Sequence, residues 1–178
     1  MRINTEDSGQ ALIELALAAA ILCLFVFGIV DFGRAVYDVE VMQNLAGEGS
    51  SMASRGVAPL KTAQTVVSYA GQDLSMSTMG CVIVTAVTNT GSVNNPLQVT
   101  GQGSVCNITA SSKVGCVKGV SGCASSNATL PAEASAALQA NQSLYVTEIF
   151  YTYNTITPVM NILGSSVLPG QLYGAAYY

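Results

Sequence analysis

The sequence contains no histidine and no tryptophan, and only 9% of its 178 residues are charged. Histidine is the commonest general base and the commonest metal ligand, so its absence excludes the usual histidine-dependent nucleophile systems. After Glu48 the only acidic residues are Asp73, Glu133 and Glu148, which are too few and too scattered to suggest a carboxylate pair or a metal cluster. No glycine-rich phosphate-binding motif is present. We therefore expect a protein that is not an enzyme and that uses no cofactor or metal.

Basic residues are also scarce. The chain has six lysines and arginines in total, and its formal net charge is -4. Nucleic-acid-binding domains usually carry a clustered basic face, and none can be assembled from these residues. We expect no nucleic-acid partner.

The most informative feature present is a long apolar run. It extends from Ala11 to Val30, and at about 1.5 Å of rise per residue it would make a helix of roughly 30 Å, the thickness of a hydrocarbon core. Asp31 and Arg34 end it. The run predicts a membrane-spanning helix at about 11–30. The alternative is a cleaved secretory signal, which usually has a shorter apolar core, a basic start and a small-residue cleavage site.

The helical pattern continues beyond the apolar run. Apolar residues recur every three or four positions at Phe32, Val36, Val39, Met42 and Ala46. This spacing predicts one helix over 10–56, half of it outside the membrane, with an apolar stripe packed on its own domain or on a neighbouring subunit. Asp31, Arg34 and Asp38 lie three and four positions apart, and we expect weak surface ion pairing among them.

One carboxylate lies inside the apolar run. A charged side chain at the centre of a bilayer costs roughly 2.5–3.5 kcal/mol on insertion scales, so it usually has a specific partner. Glu14 is one turn from the start of the run, where its side chain could simply reach the lipid headgroups. However, Gly9 precedes the run, and Glu14 is the fifth residue after that glycine.

The stretch "GQALIELALAAAILCLFVFGIVDFGRAVYD" resembles the start of the TadE-like proteins of the tight-adherence (Flp) pilus system. The resemblance rests on Gly9 with Glu14 and on the border motif Asp31-Phe32-Gly33-Arg34, and it covers about residues 9–50. A fainter similarity lies in "SLYVTEIFYTYNTITPVMNIL", which is like the tyrosine-containing strand late in many members.

This resemblance implies a minor pilin-like subunit, or pseudopilin, of tight-adherence pilus biogenesis. It implies a leader over 1–9, cleavage between Gly9 and Gln10 by a prepilin peptidase, and pairing of Glu14 with the N-terminal amine of an adjacent subunit. The implied location is the bacterial inner membrane, as a single-pass protein whose C-terminal domain is in the periplasm or on the cell surface or pilus. The implied partners are other pilin or pseudopilin subunits and the assembly machinery, in homo- or hetero-oligomers. The alternative is a membrane-anchored or secreted adhesin, which the Ser/Thr/Asn/Gly-rich middle and the aromatic tail would suit.

The remaining residues, 57–178, predict an extracytoplasmic α+β domain with a small antiparallel sheet. The expected helices are 58–74, with Pro59 in the first turn, and 130–142. The expected strands are 80–90 and 143–156, with weaker candidates at 96–112 and 113–120. We expect Pro158 to end the strand 143–156, Glu148 to be an exposed or edge residue of it, and the tail 159–178 to pack on the domain.

Five cysteines complete the pattern. Cys23 lies in the apolar run, where we expect a small buried hydrophobic residue. The other four follow the membrane segment and are Cys81, Cys106, Cys116 and Cys123. An even number of cysteines in one exported domain predicts two disulfides, with three connectivities open, and supports an extracytoplasmic location. Their spacing lacks the paired C-x-x-C of zinc knuckles.

Overall fold

The computed structural model describes residues 5–71, 74–118, 123, 125–157 and 170–178, with side chains described from residue 9 onward. Its elements are α1 (Thr5–Ser54), α2 (Pro59–Ala70), α3 (Met76–Met79), β1 (Gly80–Asn89), β2 (Leu97–Cys106), α4 (Ala132–Ala137), β3 (Ser143–Thr152) and β4 (Gln171–Tyr177). The predicted fold class is confirmed, because a long N-terminal helix precedes a small antiparallel sheet with two disulfides.

The chain forms two compact units. The first contains Met1–Tyr37 and Asn154–Gly170, and the second contains Asp38–Tyr153 and Gln171–Tyr178. Helix α1 is continuous through the boundary and is 50 residues long, so the predicted extension of the helix beyond the apolar run is confirmed.

The sheet has the strand order β2-β1-β3-β4, and all its pairs are antiparallel. β1 is buried from Gly80 to Val87, which explains why its sequence is a run of β-branched residues rather than an alternation. β3 is the other inner strand and pairs with β1 from Gly80↔Tyr151 to Thr88↔Ser143. The two inner strands therefore carry the core of the second unit.

Helices pack on this sheet through glycines. A Cβ atom at Gly49 of α1 would lie 2.9 Å from the Thr147 side chain of β3 and 3.0 Å from Val66 of α2. At Gly103 of β2, a Cβ atom would lie 2.1 Å from the backbone nitrogen of Leu60 in α2. The absence of a side chain at both positions allows the elements to come this close, so the expected packing of the long helix on its domain is confirmed for the part of α1 in the second unit.

Most predicted elements are present. α2 begins with Pro59 at its first position and buries one face with Thr62, Ala63, Val66 and Ala70. The strands expected at 80–90, 96–112 and 143–156 are β1, β2 and β3, and α4 lies in the predicted helix 130–142. β3 ends at Thr152, so the prediction that the strand continues to 156 and is ended by Pro158 is wrong; Pro158 itself lies outside the described residues.

The candidate strand at 113–120 is wrong over 113–118, where the backbone is irregular, and 119–120 lie outside the described residues. Gly115 has a φ of 133°, and the N–H groups of Val114 and Gly115 donate to the Ser112 hydroxyl. These groups are thus used locally and are not available for a strand ladder. Of the tail, 171–178 packs on the domain as predicted, with β4 paired to β3, while 159–169 lie outside the described residues.

Candidate membrane-insertion and assembly segment

The apolar part of α1 is exposed along its whole length. From Ala11 to Val30 every residue is exposed except Gly28, which is half-buried. Leu22, Phe25 and Ile29 are 66%, 68% and 71% exposed. A helix that is apolar on all sides and uncovered by its own chain is unfavourable in water, and by length and composition this one is sufficient to cross a membrane. The geometry fits membrane insertion.

The predicted processing and assembly residues lie on the first turns of α1. Gly9, Gln10 and Glu14 are all helical and all exposed. Within the part of the chain that the structure describes, the Glu14 carboxylate has no hydrogen-bond or ion-pair partner.

The border motif at the end of the apolar run has one buried residue and three exposed residues. Phe32, Gly33 and Arg34 are exposed, whereas Asp31 is fully buried. The Asp31 carboxylate accepts hydrogen bonds from the backbone N–H groups of Ile156, at 3.1 Å, and Thr157, at 3.3 Å. It also accepts one from the Thr157 hydroxyl. The motif therefore anchors the segment that follows β3.

This arrangement corrects two expectations. Asp31 and Asp38 are buried, so the expectation that they lie on the surface with Arg34 is wrong. The predicted apolar stripe is right at Met42 and Ala46 but wrong at Phe32 and Val36, which are exposed. Over this part of the helix the buried positions are Asp31, Ala35, Asp38, Met42 and Ala46. The hydropathy pattern misplaces this face because a carboxylate is counted as an exposed residue. Hydropathy contains no information about distant N–H donors that hydrogen-bond to a carboxylate and allow its burial.

Two glycines near the end of the apolar run leave open space on α1. A Cβ atom at Gly28 or at Gly33 would meet nothing within 4 Å. The backbone at these positions is therefore accessible to another helix, and small residues permit such close approach in membranes.

A second buried carboxylate lies on β3. Glu148 is fully buried on an inner strand, so the prediction of an exposed or edge residue is wrong. Its carboxylate accepts hydrogen bonds from the Lys113 N–H at 2.8 Å, from the Tyr173 hydroxyl at 3.1 Å and from the Ser112 hydroxyl. The one sequence signal was that Glu148 shares a strand face with Val146 and Phe150, both of which are buried.

Two tyrosines of β4 complete this cluster. Burial and the nearby charge of Glu148 raise the pKa of Tyr173 well above its usual value, and the same two causes raise the pKa of Tyr177. The Tyr173 ring lies 5.0 Å from the Phe150 ring, and the Lys113 ammonium lies 3.5 Å from the Tyr173 ring centroid. The phenol of Tyr173 is thus held neutral as a donor, and the cluster joins the 112–115 loop to the sheet.

The cysteines form two disulfides. Cys81 pairs with Cys106, its direct cross-strand neighbour on β2, and Cys116 pairs with Cys123. Cys23 is free and exposed, which corrects the expectation that it is buried, because the apolar run that contains it is not covered by the rest of the chain. Within the described residues no group of three or more Cys, Asp or Glu side chains is arranged to hold a metal ion.

Comparison with known proteins bears on the N-terminal segment. No curated protein and no solved structure matches the chain. Residues 9–51 match the family model described as TadE-like protein, and this range contains Gly9, Glu14 and the border motif. The match agrees with the resemblance seen in the sequence and points to a protein related to tight-adherence pili. The N-terminal segment of this chain is therefore similar to that of TadE-like proteins.

Proposed function

We propose that this protein is a minor pilin-like subunit of tight-adherence pilus biogenesis, whose role is structural rather than catalytic. α1 inserts in the bacterial inner membrane over about 11–30, and the domain over 57–178 is extracytoplasmic, in the periplasm or on the pilus. The subunit assembles with other pilin or pseudopilin subunits through α1. The observation that carries the proposal is that the TadE-like match coincides with a helix whose exposed apolar surface contains a single carboxylate.

Processing supplies the partner for that carboxylate. A prepilin peptidase cleaves between Gly9 and Gln10, which removes the leader 1–9 and leaves a new ammonium group at Gln10. In an apolar environment Glu14 requires an opposite charge, and the ammonium of an adjacent subunit provides one. The two charges neutralise each other only when the subunits are correctly staggered, so the pair sets the register of helix association.

The mass of the N-terminal peptide from the native membrane fraction tests this proposal first. We expect a chain that begins at Gln10. A chain that still begins at Met1 would contradict processing and indicate a permanent membrane protein. A start beyond Val30 would contradict the pilin role and favour a secreted binding module.

Replacement of Glu14 tests assembly separately. We expect Glu14→Ala to insert in the membrane normally but to reduce the amount of assembled pilus, because the new ammonium would lose its partner. Glu40→Ala is the matched control, since Glu40 is an exposed acid on the same helix beyond the apolar run. Pilus output from cells that carry each variant is the measurement, and unchanged output with Glu14→Ala would contradict the assembly role.

A further inference from the structure

The contact between Asp31 and the segment after β3 lies where α1 would leave the membrane. Asp31 is the first residue after the apolar run, and its carboxylate accepts the N–H groups of Ile156 and Thr157. These backbone groups are therefore held at the level of the helix where the hydrocarbon region ends. The side chain of Ile156 is nevertheless 64% exposed.

Residues of the border motif lie at the same level. With a rise of about 1.5 Å per residue, Phe32 is about 3 Å and Arg34 about 6 Å beyond Val30 along the helix. The headgroup layer on each side of a bilayer is roughly 5–7 Å thick, so both residues fall within it. Phe32 is 61% exposed, and Arg34 is exposed as well.

We propose that Phe32, Arg34 and Ile156, here called the border patch, form a lipid-contacting surface at the headgroup boundary of the membrane. This inference rests on the proposed insertion of α1. The membrane is the occupant favoured by the structure because the border patch continues directly from the exposed apolar surface of residues 11–30. The apolar side chains of Phe32 and Ile156 enter the upper acyl region, and the guanidinium of Arg34 binds lipid phosphates.

Asp31 positions Ile156, the member of the border patch that does not lie on α1. The carboxylate holds the backbone of Ile156 beside α1, since the N–H groups of Ile156 and Thr157 donate to it directly. The protein therefore contacts the membrane surface at two points that are far apart in the chain. We expect this double contact to restrict rotation of the border segment about the helix axis.

The absence of tryptophan allows a clean test, because each single-tryptophan variant reports only its own position. The full-length protein is reconstituted in vesicles of phosphatidylcholine and phosphatidylglycerol that carry bromine near the top or near the centre of the acyl chains. The variants are Ile156→Trp and Phe32→Trp for the border patch, Leu22→Trp for the inserted helix, and Val93→Trp as a reference in the polar loop between β1 and β2.

We expect bromine near the top of the chains to remove most of the emission of Ile156→Trp and Phe32→Trp, relative to the reference. Bromine near the bilayer centre should quench Leu22→Trp most strongly. Quenching of Leu22→Trp without quenching of Ile156→Trp would overturn the border patch while leaving insertion intact. If Leu22→Trp itself is not quenched, insertion fails and the border patch falls with it.

The role of Asp31 is tested by Asp31→Ala in each border variant. We expect emission of Ile156→Trp to recover, because its backbone anchor is lost, while Phe32→Trp remains quenched since its position depends only on α1. A blue-shifted Ile156→Trp emission that bromine does not affect would overturn the proposal in favour of contact with a neighbouring subunit. Circular dichroism of each variant verifies that the fold is retained.

Discussion

Asp31 and Glu148 are fully buried acidic side chains, and each positions a part of the chain that is distant from it in sequence. Among the described residues each accepts at least three hydrogen bonds, and these donors are distant in sequence. Buried carboxylates persist only where donors satisfy them, since an unpaired buried polar group costs about 1–3 kcal/mol and a charged one more. These two residues therefore fix the positions of irregular segments that have few apolar contacts of their own.

At the scale of the residue, replacement of Glu148 tests this role. We expect Glu148→Ala to lower the free energy of unfolding by about 3 kcal/mol, because the donors from Lys113, Ser112 and Tyr173 would lose their acceptor. Glu148→Gln keeps one acceptor oxygen and should cost less. Urea denaturation of the protein in detergent micelles is the measurement, with the exposed Glu133→Ala as control. Equal midpoints for Glu148→Ala and Glu133→Ala would contradict the role.

At the scale of the element, α1 combines two kinds of surface in one continuous helix. Its first part is apolar and exposed on all sides, and its last part buries a face of small residues against β3 and α2. A single element can therefore serve both an external partner and its own domain. The helix is continuous, and its two parts differ in whether other elements of the described chain pack on them.

Two glycines of α1 provide a matched test of the packed face. Gly47 and Gly49 are two positions apart, but a Cβ atom at Gly47 would meet nothing within 4 Å, whereas one at Gly49 would press on Thr147 and Val66. Alanine gains about 1 kcal/mol of helix propensity at either position. Both contacted side chains are β-branched and stiff, so we expect Gly49→Ala to lose about 1–3 kcal/mol through overpacking.

The measurement is the difference in urea midpoint between the two variants. Gly47→Ala should be unchanged or slightly more stable than the wild type, and Gly49→Ala should be less stable than Gly47→Ala. If the two variants unfold at the same urea concentration, the close approach of α1 to β3 is wrong.

At the scale of the whole molecule, the disulfides compensate for a thin core. The chain has 50% hydrophobic residues, but many of them lie on the exposed part of α1, and polar loops rich in Gly, Ser and Asn join the strands. One disulfide ties the edge strand β2 to β1, and the other joins Cys116 to Cys123 directly after the 112–115 loop in sequence. Both lie in the second unit, where the sheet is.

The two disulfides should contribute unequally. Their sequence separations are 25 and 7, and the chain-entropy model gives about 3.5 and 2.4 kcal/mol for loops of these sizes. We expect the double variant Cys81→Ala with Cys106→Ala to unfold at lower urea than Cys116→Ala with Cys123→Ala. Cys23→Ala is the control and should match the wild type, because Cys23 is not bonded to another cysteine. The reverse order of midpoints would contradict this ranking.

Local patterns in the sequence were sufficient to predict most of the helices and strands. The apolar run predicts a span because length and hydropathy are properties of contiguous residues. Pro59, the β-branched run of β1 and the alternation in β3 likewise act within a few positions. α1, α2, β1 and β3 were predicted from such local patterns and are present, whereas the weaker strand candidate at 113–120 is wrong over 113–118.

The sequence by itself determined the long helix, the α+β class, the number of disulfides and the similarity of the N-terminal segment to TadE-like proteins. Only the tertiary structure decided which cysteines pair, that Glu148 is buried, and that Asp31 binds residues 125 positions away at Ile156. The physical reason is that a polar side chain is buried or exposed according to whether donors reach it. Those donors come from irregular segments whose path is set by long-range packing and not by local periodicity.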